Sequence, residues 1–266
     1  MPTESSATIG KAFKVLQLFR DYNVMTVSIC EQELGIPRST AHRLLVSLRD
    51  VGAIEQIRGG HFVLSLELFE LGVLAPQRRS LDDRVGVDVE ALAYRTGYRV
   101  LVGVRRGLEV VYLESANGYL AQSQGVRTRI GFRGPLHATS MGKIFLAYGG
   151  DALIEQVLAD GAVPFTPNTV TEGERLQDIL GGIRDAGYAL SVGEFVPTTS
   201  SLAVPIRAGD GSVTAALAIV GDNESILRQR ARLIEEARIT ASRIERGVGG
   251  TFRYRIRGNR SVVATA

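Results

Sequence analysis

Between Gly35 and Asp50 the chain reads as a helix with two unlike faces. Ala41, Leu44, Leu45 and Leu48 form one apolar stripe, while Ser39, His42, Arg43, Val46 and Arg49 lie largely on the other side. Pro37 suits the first turn of such a helix, because its φ is preset and its missing N–H would have had no partner there. Just upstream, Gly35 can take the left-handed conformation that ends a preceding helix. Thr26 can cap that earlier helix, whose inward residues are Val27, Cys30 and Leu34. Further back, Ile9, Ala12, Phe13, Leu16 and Phe19 recur at helical spacing and predict a helix over Thr8–Arg20. Downstream, Gly52 stops the amphipathic helix. Ala53–Ile57 and His61–Leu64 then read as short strands joined by Arg58-Gly59-Gly60, whose glycines supply the positive φ of a tight hairpin. Leu66–Leu74 reads as one more helix, with Leu66, Phe69, Leu71 and Val73 among its apolar positions.

Helix, helix, glycine turn, helix and glycine hairpin is the order of a winged helix-turn-helix. The residue types fit that use. A recognition helix must bury one face and leave the other free for the major groove, with short hydrogen-bonding groups for base edges and cations for phosphates. The residues expected to meet DNA are Arg38, Ser39, Thr40, His42, Arg43 and Ser47 on the helix, with Arg58 and His61 on the wing. The competing reading is a plain three-helix lobe with a solvated polar face. Turn, helix and wing arriving together favour DNA binding. Cys30 reads as a small core residue rather than a redox sensor.

The pattern changes after Pro76. The expected division is a DNA-binding domain over 1–75, a linker over 76–83, a second domain over 84–247 and a basic tail over 248–266. Helices are expected over Val87–Thr96, Leu136–Tyr148 and Thr171–Ala186, the last opened by a Thr171/Glu174 capping box, with a long closing helix over Glu224–Arg246. Val100–Val104 and Val110–Glu114 form a predicted hairpin. Ala189–Phe195, Leu202–Ile206 and Val213–Val220 read as further strands. The expected fold is therefore α+β in two domains: a winged helix-turn-helix followed by an α/β sensor domain with a mainly antiparallel sheet. In the tail, Arg253, Arg255, Arg257 and Arg260 have no acidic neighbours, and a frayed end is expected there.

Bulk properties exclude some alternatives. Of 266 residues, 45% are hydrophobic and 22% charged, an ordinary globular balance with no low-complexity block. A net charge of +3 permits nucleic acid without arguing for it. One cysteine excludes an intrachain disulfide, and three histidines with no i, i+4 pair make a metal site unpromising; no metal and no cofactor are expected. No signal-like or membrane-spanning apolar run follows the short polar N-terminus, so the cytoplasm is the expected compartment.

Three segments carry a family resemblance. Gly35-Ile36-Pro37-Arg38-Ser39-Thr40-Ala41-His42-Arg43-Leu44-Leu45 resembles the recognition segment of IclR-type bacterial regulators. Pro135-Leu136-His137-Ala138-Thr139-Ser140-Met141-Gly142-Lys143 resembles the family signature at the start of a ligand-domain helix. Gly187-Tyr188-Ala189-Leu190-Ser191-Val192-Gly193-Glu194 with Ser201-Leu202-Ala203-Val204-Pro205-Ile206 is the third match. Together they cover roughly Thr8–Ile244 in the family's order. The resemblance implies a GAF-like effector domain, homodimers or homotetramers, a double-stranded DNA operator and a small-molecule effector, commonly an organic or aromatic acid. It places Val126, Ser140, Met141, Ser191, Ser201, Ala218 and Val220 near that effector. Ser191 stands at the signature's acid-or-serine position and Ser201 at its frequent cysteine position, and Ala218 and Val220 stand where some relatives carry serine. The pocket is therefore expected to be less polar and to suit a larger effector. Lys143 is read as solvated, Glu194 as a hydrogen-bonding brace and His137 as a helix brace.

An enzyme is the rival class. Ala138-Thr139-Ser140-Met141-Gly142 has the outline of a nucleophile elbow but lacks its first glycine. Gly134 to Lys143 has the wrong glycine spacing for a phosphate loop, and Ile144 stands in place of the magnesium-binding hydroxyl. A hydrolase or transferase fused to a DNA reader is thus disfavoured. A third class is a DNA binder that responds to no ligand.

Overall fold

The computed structural model describes residues 4–73, 83–121 and 130–247. The chain divides into two compact units, Met1–Arg78 and Arg79–Ala266. The expected linker falls mostly, and the basic tail wholly, outside the described residues.

The first unit contains α1 (Glu4–Leu18), α2 (Val27–Leu34), α3 (Arg38–Asp50), β1 (Ile54–Ile57), β2 (His61–Leu64) and α4 (Leu66–Val73). Local chemistry sets its corners. Thr26 Oγ1 accepts the Ile29 N–H at 3.2 Å, and Gly35 ends α2 at φ 58°. The hairpin turns through Gly59 and Gly60 at φ 84° and 76°. Met25 bridges to Phe62, which ties the entry of α2 to the wing. Val15, Phe19, Met25, Cys30, Leu45, Ile54 and Phe62 close one small core. The α1 stripe is rotated from expectation: Val15 and Phe19 point inward, whereas Ile9 and Phe13 are 67% and 61% exposed. On α4, Leu66, Phe69 and Leu71 are likewise exposed rather than packed. A core this small is filled by one face of each helix, so the remaining apolar residues have nothing in the unit to cover them.

The second unit is a six-stranded sheet between two helical layers. Its elements are α5 (Asp83–Thr96), β3 (Arg99–Arg106), β4 (Glu109–Asn117), β5 (Arg133–Pro135), α6 (Ser140–Tyr148), α7 (Asp151–Ala159), α8 (Gly173–Ala186), β6 (Ala189–Val192), β7 (Thr199–Arg207), β8 (Val213–Asp222), α9 (Asn223–Arg228) and α10 (Arg230–Gly247). The strand order is β5-β4-β3-β8-β7-β6, and every pair is antiparallel. Along β8, Ala215 to Val220 are all buried, because this central strand is covered on both faces. Ala216, Ala218 and Val220 meet α6, α7 and α8, while Ala215, Leu217 and Ile219 meet α5, α9 and α10.

Several expected boundaries move. α6 starts at Ser140 rather than Leu136, because Thr139 Oγ1 accepts the Gly142 N–H at 3.1 Å and its hydroxyl donates to the Pro135 carbonyl at 2.8 Å. α8 is capped at Glu172 without a side-chain bond, so the Thr171/Glu174 box does not form. β6 ends at Val192, where Gly193 turns at φ 60°. The closing helix breaks at Gln229, whose Nε2 donates to the Tyr98 hydroxyl at 2.9 Å. β5 and α7 were not foreseen.

Candidate nucleic-acid interface and effector site

In the first unit, α3 buries Ala41, Leu44, Leu45 and Leu48 and turns its other face outward. Arg38, Ser39, His42, Arg43 and Ser47 are exposed, Thr40 is half-buried, and Arg58 and His61 are exposed on the wing. All eight expected residues therefore sit on the helix or wing with their side chains wholly or partly accessible. The cations are not equivalent. Arg38 donates to Ser28 Oγ at 3.1 Å and lies 3.6 Å from Glu31, so α2 holds it over the helix start. Arg49 donates twice to Asp50, at 3.0 and 2.8 Å, and to Gln56 Oε1 at 3.1 Å. It links the end of α3 to the wing and is less available to a phosphate. Cys30 is fully buried, and burial pushes its thiol pKa up, which suits an inert core residue.

In the second unit the sheet register brings the expected effector residues together. Directly opposed residues of antiparallel strands point to the same face. Val220 on β8 faces Ser201 on β7, which faces Ser191 on β6. Two residues along, Ala218, Ala203 and Ala189 form the next row of the same face. Met141 of α6 packs over it from above: a Cβ built on Gly103 of β3 would come 3.2 Å from its sulfur. Ser191 Oγ donates to the Ala138 carbonyl at 2.9 Å, tying β6 to the segment that enters α6. Ser140, Met141, Ser191, Ser201, Ala218 and Val220 thus share one region between α6 and the sheet. Val126 lies outside the described residues. The Thr139 cap occupies the Gly142 N–H, and the N–H groups of Ser140 and Met141 in the first α6 turn have no partner within the helix.

Lys143 and His137 behave differently from expectation. α6 is buried on every side from Ser140 to Ala147, so Lys143 has no solvent to reach and is 1% exposed. Its ammonium meets Glu194 Oε1 in a buried ion pair and lies 3.5 Å from the Leu190 carbonyl. Burial draws the Lys143 pKa below its ordinary value, against the opposing pull of Glu194. Glu194 is the brace the sequence suggested, with its backbone carbonyl receiving the Thr169 hydroxyl at 2.6 Å. Its Oε2 is buried without a hydrogen bond among the described residues. His137 Nε2–H donates to the Val163 carbonyl at 2.9 Å and its ring stacks on Phe165, so it braces the segment after α7 rather than its own helix.

Two features were not read from the sequence. A cleft of about 360 Å³ lies among Leu108, Pro135, His137, Val157, Phe165 and Phe195, and it shares none of the expected effector residues. At its edge Arg133 is paired with Glu109. The second feature is Arg99, which extends the serine row by one strand: it faces Val220 on one side and Asn117 on the other. No spacing in the sequence reveals such a cross-strand neighbour.

Comparison with known proteins identifies the family. The family model described as bacterial transcriptional regulator IclR C-terminal matches residues 75–246, and the IclR helix-turn-helix domain model matches residues 8–58. The HTH-type transcriptional regulator XynR of Escherichia coli is 31% identical over 215 residues, spanning 80% of this chain and 84% of its own. The glycerol operon regulatory protein of Streptomyces coelicolor is 31% identical over 222 residues, with 81% and 85% covered. Among solved structures, an IclR homologue from Microbacterium hydrocarbonoxydans in complex with 4-hydroxybenzoate has a TM-score of 0.78 at 29% identity, covering 91% of this chain and 98% of that one. Its relatives are regulators rather than enzymes, and among the described residues no helix is long and apolar enough to cross a membrane. With a helix-turn-helix unit in front of a C-terminal effector unit, the chain belongs to the IclR family of bacterial transcriptional regulators, which act on DNA through the N-terminal domain.

Proposed function

We propose that this regulator reads a two-fold operator as a homodimer or homotetramer in the cytoplasm, and that an organic acid bound between α6 and the sheet changes its affinity for that operator. The observation that carries the effector reading is the row of Ser191, Ser201 and Val220, flanked by Ala189, Ala203 and Ala218, with Ser191 bonded to the segment that enters α6. A helix N-terminus favours a carboxylate. Ala218, Val220 and Met141 supply an apolar wall, which suits an aromatic acid better than a two-carbon or three-carbon one. The relative holding 4-hydroxybenzoate supports that class.

Residues 1–75 act as the reader and 84–247 as the sensor. DNA contact falls to Arg38, Ser39, Thr40, His42, Arg43, Ser47, Arg58 and His61. One recognition helix reads too few base pairs to choose a site in a genome, so two copies are needed. Ile9 and Phe13 on α1, with Leu66, Phe69 and Leu71 on α4, are apolar faces with which a second copy can pair.

The test is a titration of operator binding against aliphatic and aromatic monocarboxylates, including benzoate and 4-hydroxybenzoate, repeated with Ser201→Ala. An acid that shifts operator affinity roughly 5- to 150-fold, and binds more weakly to the variant, meets the expectation. An acid whose binding survives Ser201→Ala but is lost in Phe195→Ala moves the site to the cleft beside His137.

A further inference from the structure

Arg99 is the one cation in the sheet row that carries Val220, Ser201 and Ser191. Reading across β4, β3, β8, β7 and β6, the row is Asn117, Arg99, Val220, Ser201, Ser191. Leu101, two residues along β3 from Arg99, packs in the same core layer as Met141, Ala218 and Val220, so Arg99 stands on the effector face and not on the α5 face. The Arg99 Nε–H donates to Asn117 Oδ1 at 2.7 Å, which fixes the plane of the guanidinium at the edge of the apolar floor.

We propose that Arg99 is the anion subsite of the effector pocket and selects monocarboxylates over their neutral analogues. This deepens the acid-effector reading and rests on it. A guanidinium presents paired terminal N–H groups that match a carboxylate in two parallel hydrogen bonds. In the bound state the effector carboxylate takes those groups in exchange for their contacts in the effector-free chain, while Asn117 keeps the fork oriented. The rest of the ligand lies over Val220 and Ala218. Two strand spacings separate the backbones of Arg99 and Ser201, about 10 Å. The α6 N-terminus then adds a favourable field from above rather than the main charge contact. The partly buried setting strengthens the case, since burial alone draws the Arg99 pKa down and an incoming anion relieves that penalty.

The test compares acids with their isosteric amides. Calorimetry on the full chain measures benzoate and 4-hydroxybenzoate against benzamide and 4-hydroxybenzamide, and a wider set of monocarboxylates against their amides. It is run on wild type, Arg99→Gln, Arg99→Lys and Ser201→Ala. Wild type should prefer the acid roughly tenfold or more. Arg99→Gln should erase that preference and Arg99→Lys should restore part of it, with circular dichroism checking that each variant is folded. An acid that binds wild type, weakens in Ser201→Ala and keeps its full preference in Arg99→Gln overturns the role of Arg99 and leaves the effector site standing. If no carboxylate in the set binds wild type, or if binding ignores Ser201→Ala, the effector reading falls and the Arg99 proposal falls with it.

Discussion

Replacing Lys143 by Met separates the charge on α6 from everything else that residue does. Methionine keeps the unbranched stem that fills the space between α6 and β6, but it leaves the Glu194 carboxylate without its ammonium. The side chains are 2% and 8% exposed, so water does not screen the loss. Breaking a buried pair by removing one partner costs about 3–5 kcal/mol, because the remaining charge stays desolvated. Against a typical domain stability of about 5–15 kcal/mol that is a large share. Removing both charges is a different perturbation: Lys143→Met with Glu194→Leu should recover most of the loss, since buried pairs replaced by apolar groups are often neutral or stabilised by about 1–4 kcal/mol. Urea unfolding of the full chain, followed by tyrosine fluorescence, measures this directly. Trp is absent, and Tyr98 and Tyr112 are buried in the second unit and report on it. A single variant that loses less than about 1 kcal/mol would refute the claim that removing Lys143 leaves Glu194 as an uncompensated buried charge. A double variant as unstable as the single one would assign the cost to lost packing instead.

Three further outcomes follow from the same geometry. Asp222 caps α9 by accepting the Ser225 N–H at 2.8 Å, and that bond holds its carboxyl below the ordinary value of 3.8. Its contribution is therefore complete above about pH 4 and fades as pH falls through the lower folded value; Asp222→Ala should cost about 1 kcal/mol at pH 7 and progressively less in acid melts. A Cβ at Gly142 would sit 2.3 Å from the Leu136 carbonyl oxygen, so Gly142→Ala must push α6 away from the segment that enters it and should cost about 1–3 kcal/mol by urea denaturation. Phe13→Glu or Phe69→Glu places a charge on an uncovered apolar face, and light scattering at micromolar concentration should show a smaller species than wild type with no loss of helical circular dichroism.

The parts of the fold legible in the sequence are those set by local chemistry. Thr26, Gly35 and the Gly59-Gly60 turn act within a few residues of themselves, so the reader unit could be drawn from them. The two-faced pattern of α3 was legible for the same reason. Ile9 and Phe13 were misread because helical spacing shows that a stripe exists and not what covers it. The sequence suggests a solvated Lys143, because a lysine in a helix is ordinarily at the surface. The sign to the contrary was present: Ser140 to Tyr148 has almost no polar residue apart from Lys143, and a helix apolar on all sides is buried. Ser191, Ser201 and Val220 were chosen by family likeness, and the register places them in one row. Arg99 could be found in neither way. Its place beside Val220 depends on the pairing of β3 with β8, two strands more than a hundred residues apart in the chain.

On the proposed function, α3 reads a specific duplex and an acid in the second unit alters that reading. Selection of randomised duplexes by the full chain, with and without an acid that binds it, tests both halves at once. The expected result is enrichment of an inverted repeat with half-sites about one helical turn apart, loss of that enrichment in Arg43→Ala, and a roughly 5- to 150-fold change in affinity for the selected site when the acid is added. No enriched sequence, or an enriched site bound equally well by Arg43→Ala and unmoved by any bound acid, would contradict it.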